Sequence, residues 1–217
     1  MLENDVKQVN KRKMIRNALL IIIGGLVVWA LDFNILFWIQ NFIRNDIFDV
    51  IIPFYTSLGE DGIIWIVLGL ILLIPKKYRK TGIMVLSALV VMLVVNNIVL
   101  KNLIARPRPC WTYPEMVQLV HNPSSYSFPS GHTTSAFAVA FTVFSQHKKL
   151  GKVIIALASV MAFTRLYVFV HFPTDIYGGI LVAMAITTFV CFMEKRVISP
   201  KIAQIREKKF EKAEETE

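Results

Sequence analysis

Cysteine is scarce in this chain, with only Cys110 and Cys191 among 217 residues. No spacing of Cys and His matches a metal site, so no bound metal is expected and no cofactor is implied. Charge is also sparse, at 18% of residues, and acids are the minority: 15 Asp and Glu against 24 Lys and Arg, a net charge of +9. Internal repeats and low-complexity segments are lacking, which removes solenoids and arrays. No small-residue cleavage site follows the first apolar block, so the N-terminus does not read as a cleavable signal peptide. A usable glycosylation site is missing as well, because Pro123 blocks the only outer Asn-x-Ser, Asn122-Pro123-Ser124; that absence points weakly to a bacterial source.

Apolar residues are abundant. They make up 55% of the chain, and a mean hydropathy of +0.55 is too high for an ordinary soluble domain. They lie in uncharged blocks separated by charged knots, the pattern of membrane spans. The blocks predict an all-α, polytopic membrane protein, a single domain over residues 1–217 with six helical spans. These run roughly over Met14–Leu31, Gly59–Ile74, Thr81–Leu100, His132–Ser145, Val153–Val170 and Asp175–Met193. The fourth is short of the ~20 residues that cross a bilayer. The fifth carries Arg165, and a charge at mid-membrane costs roughly 2.5–3.5 kcal/mol even on lenient scales. Such charges belong at an interface or in an enclosed cavity near one membrane edge.

Basic clusters fix the expected orientation. Lys7 to Arg16, Lys76 to Lys80, Lys148 to Lys152, and Lys195 with Arg196 and the charged tail all fall on one side of a six-span chain. The positive-inside rule makes that side the cytoplasm, with both termini there. The opposite loop carries Asp32, Asp46, Asp49, Glu60 and Asp61 against Arg44. Cys110 and Cys191 then lie on opposite faces, which excludes a disulfide between them. Basic residues beside apolar blocks serve topology and anionic headgroups, so nucleic acid is not an expected partner. Within the outer loop, Leu36, Ile39, Ile43, Ile47, Val50, Ile51 and Phe54 recur at helical spacing. This stretch reads as an amphipathic helix on the outer surface, or as a short helix packed on the bundle. Past Pro200 the charged tail reads as a solvated helix or disorder.

Three outer-side stretches carry chemistry: Lys101 to Arg108-Pro109, Pro129-Ser130-Gly131-His132, and Thr164-Arg165 followed by His171 and Asp175. Lys101, Arg108 and Arg165 supply three positive charges. Ser130 and Gly131 open a helix, where free N–H groups favour an anion. A histidine oriented by a carboxylate can act as nucleophile or base, and a second can protonate a leaving oxygen. The inventory suits phosphoryl transfer, in which positioning and charge stabilisation do most of the catalysis. Taken singly, each motif is also an interface anchor, a helix cap or a structural histidine; the combination on one face is what points to a site.

Together the three stretches resemble the type-2 phosphatidic acid phosphatase family, whose signature is Lys-x6-Arg-Pro, Pro-Ser-Gly-His and Ser-Arg-x5-His-x3-Asp. The one departure is Thr164 for Ser, which keeps a hydroxyl. The resemblance implies a lipid phosphatase of the cell membrane with an outward-facing site. In it His171 attacks phosphorus, Asp175 holds its tautomer, and His132 serves the leaving group and then water. Lys101, Arg108, Ser130, Gly131 and Arg165 hold the phosphoryl oxygens, without a metal. Of the two Arg-Pro pairs only Arg108-Pro109 has the family distance from Lys101, leaving Arg106 as a second phosphate or lipid contact. The expected partners are a lipid phosphate and the bilayer, with no obligate protein partner. Undecaprenyl diphosphate is the first substrate expectation and phosphatidylglycerol phosphate or phosphatidic acid the second. A lipid phosphotransferase fits the same residues. A transporter would place its polar groups at the bilayer midplane, often with broken helices, whereas span three reads as uninterrupted.

Overall fold

The computed structural model describes residues 2–201 and 204; the tail beyond them lies outside the described residues. Helices dominate, and no strand occurs among the described residues. In chain order they are α1 (Leu2–Ala30), α2 (Asp32–Trp38), α3 (Asp46–Ser57), α4 (Ile63–Leu73), α5 (Arg79–Met92), α6 (Lys101–Ile104), α7 (Pro109–Thr112), α8 (Gly131–Gln146), α9 (Lys148–Tyr167) and α10 (Pro173–Met193).

Four stretches are long and apolar enough to cross a membrane: Asn10–Ala30, Arg79–Thr112, Lys148–Tyr167 and Pro173–Lys201. A fifth exists if α3 and Glu60–Leu73, bent by 44°, form one broken span. The bend sits where Asp61 (φ 50°) and Gly62 (φ 74°) are both left-handed, a conformation open to glycine and tolerated by aspartate. Helix α8 has 16 residues, fewer than the ~20 of a full crossing. Its place in the middle of the fold explains why it can be short. Ala136, Ala138, Val139, Ala140 and Val143 are wholly buried, and α8 packs against α5, α9 and α10. Small side chains let those neighbours approach closely.

The outer loop differs from a single amphipathic helix. Its regular spacing continues through α2 and a π turn at Ile39–Ile43, then breaks at Arg44, whose backbone is extended. Asn45 restarts the helix as N-cap, its side chain accepting from the Phe48 N–H at 3.0 Å. Leu36, Ile39 and Ile52 pack into a second core with Tyr167, Phe169 and Phe172. Ile47, Val50 and Phe54 stay exposed. The two helices are therefore packed on the bundle and also present an apolar outer face.

Span three is continuous but not uniform, since its hydrogen bonding is π-helical over Leu93–Leu100. The turn widens around Asn96, which is fully buried. Its amide donates to Asn97 Oδ1 and the Pro129 carbonyl, and its oxygen accepts from Thr134. Such π segments often accompany functional sites.

The two ends of the bundle differ in charge. At one end Lys80 pairs with Glu194 at 2.7 Å, and His147 meets Thr81 and Tyr78. These contacts gather the basic clusters around residues 76–80, 148–152 and 195–196. The three chemistry-bearing stretches converge at the opposite end.

Candidate active site

Local backbone geometry explains why the three stretches meet. Ala105 (φ 48°) ends α6 in a left-handed turn, sending Arg106 and Arg108 back over the bundle end. Phe169 (φ 60°) is a buried bulky residue in the same strained region; it reverses the chain between α9 and α10 and delivers His171 inward. Pro173 takes the first position of α10, where a missing N–H is harmless. Asp175 then caps that helix, accepting from the Phe172 N–H at 2.8 Å. Close approach at Gly178, where a Cβ would lie 2.4 Å from the Phe128 ring, lets the Pro129–Gly131 turn rest on α10. The Ser130 N–H donates to the Asp175 carbonyl.

The result is a cavity of about 850 Å³ lined by Lys101, Arg108, Gly131, His132, Arg165 and His171. Its other wall is apolar, with Ile66 from α4 and Leu86, Leu89, Val90 and Leu93 from the α5 span. Asn97 also lines it, close to Lys101 and Gly131. Thr56, Glu60, Asp61 and the His121–Ser125 segment also line it.

His171 is 1% exposed. Arg108 Nη1 donates to its Nε2 at 3.0 Å. Guanidinium has no acceptor, so Nε2 must hold its lone pair outward and the ring proton must sit on Nδ1. That proton faces Asp175 Oδ2 and Ser127 Oγ, both at 3.4 Å. The Ser127 hydroxyl in turn donates to Asp175 Oδ2. Burial first, then Arg108, Arg165 and Lys101, hold the His171 pKa well below 6.5. The imidazole is thereby kept neutral, with its Nε2 lone pair unprotonated and held by the Arg108 Nη1–H.

Among the described residues, none of those cations makes an ion pair with a carboxylate. Lys101 Nζ and Arg108 Nη2 both donate to Ser125 Oγ at 3.1 Å, and Arg108 Nε donates to the Ser125 carbonyl at 2.6 Å. Arg165 Nη1 donates to Thr56 Oγ1 at 2.6 Å, while its buried Nε has no partner among the described residues. A buried guanidinium held by a hydroxyl and not by a carboxylate favours an anion nearby.

The structure brings together seven of the eight residues expected at the site as cavity wall or its immediate support: Lys101, Arg108, Gly131, His132, Arg165, His171 and Asp175. Ser130 stands one layer back. It is the N-cap of α8, its hydroxyl accepting from Thr133 Oγ1 at 3.0 Å, and it does not line the cavity. Arg106 also differs from expectation. Its guanidinium bridges two buried carboxylates, Asp32 at 2.8 Å and Asp175 at 2.7 Å. It stacks over Phe172 and donates to Thr174 Oγ1 at 2.6 Å. Arg106 thus supports Asp175 from behind instead of facing the cavity.

Thr56, Ser125, Ser127 and Asp32 were not singled out by sequence. A lone hydroxyl near a span end carries no pattern, and Asp32 counted only as outer-loop charge. Cys110, expected on the outer face, is 1% exposed and free.

The chain is similar to several known proteins. An undecaprenyl-diphosphatase of Sulfolobus acidocaldarius is 29% identical over 177 residues, covering 81% of this chain and 85% of the relative. Phosphatidylglycerophosphatase B of Bacillus subtilis is 34% identical over 136 residues, 55% of this chain and 62% of that one. Among solved structures, Aquifex aeolicus LpxE superposes with a TM-score of 0.65 at 25% identity, over 74% of this chain and 94% of its own. The model of the PAP2 superfamily matches residues 80–198, a stretch that holds all eight expected site residues and more than half of the chain. The chain belongs to the PAP2 superfamily, a family of membrane lipid phosphatases.

Proposed function

We propose that this protein hydrolyses a lipid phosphate or diphosphate through a phosphohistidine on His171, without a metal, at the outer face of the cell membrane. The observation that carries the reading is the continuity of the cavity. A buried neutral histidine and three cations form one end, and an apolar wall from α4 and the α5 span forms the other. The first binds phosphate; the second suits an alkyl or prenyl chain.

In the first step the Arg108 Nη1–H turns from His171 Nε2 to a phosphoryl oxygen, the released Nε2 lone pair attacks phosphorus, and the bond to the leaving oxygen breaks. His132 gives that oxygen a proton. Asp175 takes the Nδ1–H hydrogen bond and offsets the positive charge that develops on the ring. Lys101, Arg108, Arg165 and the Gly131 amide stabilise the phosphoryl oxygens. In the second step His132 takes a proton from water, the hydroxyl oxygen attacks phosphorus, and the P–N bond breaks to release phosphate. Side-chain cations supply the charge stabilisation, so turnover should persist in chelator.

On our reading the chain crosses six times, counting α8 as a crossing and α3–α4 as one broken span, which would leave both termini at the basic end. By the positive-inside rule that end is cytoplasmic and the site faces outward. An outward site meets lipids of the outer leaflet. Undecaprenyl diphosphate is set free there when cell-wall glycan is polymerised, whereas phosphatidylglycerol phosphate is made on the inner face. We therefore rank undecaprenyl diphosphate first and phosphatidylglycerol phosphate second. The undecaprenyl-diphosphatase relative supports that order, and the phosphatidylglycerophosphatase relative supports the runner-up. The test is kcat/KM for both lipids in matched mixed micelles, a ratio that reports discrimination. A preference above about tenfold for phosphatidylglycerol phosphate, roughly 1.4 kcal/mol, reverses the order.

A further inference from the structure

Thr56 lies at the C-terminal turn of α3, outside the stretch that the family model matches. It is 2% exposed and lines the cavity. Its hydroxyl accepts from Arg165 Nη1 at 2.6 Å and lies 3.0 Å from the hydroxyl of Thr164. Holding Nη1 from one side orients the planar guanidinium. The opposite edge carries Nε–H and one Nη2–H in parallel. That edge is the one that grips a phosphate with two bonds, and its Nε has no protein partner among the described residues.

The same turn reaches His132. The turn closes with the Gly59 N–H donating to the Thr56 carbonyl at 3.0 Å, and it is through Gly59 that it packs on the His132 ring. Three residues on, a Cβ at Gly59 would lie 2.9 Å from His132 Cδ2 and 2.8 Å from the Met161 side chain. One turn of the outer helix therefore touches a phosphate-binding cation through a side chain and the leaving-group histidine through its backbone.

We propose that Thr56 is a positioning residue: its hydroxyl aims Arg165 at the phosphoryl group while the turn it belongs to fixes the His132 ring. The inference rests on Arg165 being a phosphate ligand, as in the proposed function. It gives the outer loop a role in the reaction, and it explains why a hydroxyl precedes Arg165. Thr164 completes the chain from Met161 to Thr56, its own hydroxyl lying 2.7 Å from the Met161 carbonyl.

The test uses the full-length protein in detergent, with orthovanadate inhibition and kcat/KM on a lipid phosphate as readouts. Thr56→Val keeps the shape and removes the acceptor. It should raise the vanadate inhibition constant and lower kcat/KM by roughly tenfold to a hundredfold, the size expected for one hydrogen bond to a charged group. Thr56→Ser should restore both to within about threefold. Arg165→Ala runs alongside. If Arg165→Ala weakens vanadate and Thr56→Val does not, the positioning role is wrong. A Thr56→Ser variant as poor as Thr56→Val also overturns it, because packing would then be the cause. If Arg165→Ala leaves vanadate binding intact, the phosphate-binding reading fails first. Gly59→Ala probes the second arm: it should slow turnover more for substrates with poor leaving groups than for good ones, and an equal slowing for both overturns the His132 half of the proposal.

Discussion

Replacing Arg106 with methionine isolates the support behind Asp175. The guanidinium bridges Asp32, 2% exposed, and Asp175, fully buried. Removing one partner of a buried ion pair costs about 3–5 kcal/mol, because the other charge is left uncompensated. Two features pull the value to the lower end. Arg106 is itself 23% exposed, and each carboxylate keeps other donors: Thr174 for Asp32, Ser127 and the Phe172 N–H for Asp175. A loss of about 3 kcal/mol corresponds to roughly 6–12 °C for a chain of this size. Activity should fall by at least an order of magnitude, short of the ~10⁴ that follows direct loss of such a carboxylate. Thermal unfolding in detergent and kcat/KM measure the two effects. Adding Asp32→Asn neutralises one stranded carboxylate and should recover part of the stability, a coupling that independent sites would not show. An Arg106→Met protein that melts within about 2 °C of the parent and keeps its turnover refutes the bridging role.

Burial and the three cations disfavour protonated His171, so Nε2 stays unprotonated as pH falls through 6.5. The acid limb of kcat/KM, corrected for the substrate's own ionisation, should lie below that value, and a limb at or above it contradicts the environment described. The same depressed pKa makes the unfolded chain take up a proton first, so this group's contribution to stability is present above pH 6.5 and is lost as pH falls through it. His132→Ala should slow phosphoenzyme formation far more for an alkyl phosphate than for an aryl phosphate, whose oxygen leaves without a proton; equal slowing would remove His132 from the leaving-group role. An impermeant thiol reagent on intact cells should label a cysteine placed at Asn122, which is exposed, and spare one placed at Lys149. Cys110 is too buried to report. Labelling at Lys149 alone would invert the topology.

The core of the site was legible because its residues sit at fixed short spacings. Lys101 and Arg108 flank one helix end, Ser130 to His132 open another, and His171 stands four residues before Asp175 around a proline that starts α10. The supporting shell was not legible. Thr56 meets Arg165 across 109 positions and Asp32 meets Arg106 across 74, and no local period encodes such pairings. The outer loop shows the same limit. Its apolar spacing predicts helix throughout, whereas the structure breaks at Arg44; Asn45 with Asp46 and Asp49 forms the N-terminal signal that marks the restart. The sequence predicts α8 as the fourth span and shows that its uncharged run is short for a full crossing. Only packing shows that it is the buried centre on which α5, α9 and α10 assemble.

The central claim is a covalent phosphate on His171. Rapid acid-free quenching of the protein with lipid substrate labelled in the transferred phosphate should trap a phosphoprotein that is stable to base and labile to acid. Peptide mapping should place the label on His171, and it should accumulate in a His132→Ala protein given an aryl phosphate, since water activation is then slow. Label on another residue, or undiminished turnover by purified His171→Ala protein, would contradict the account.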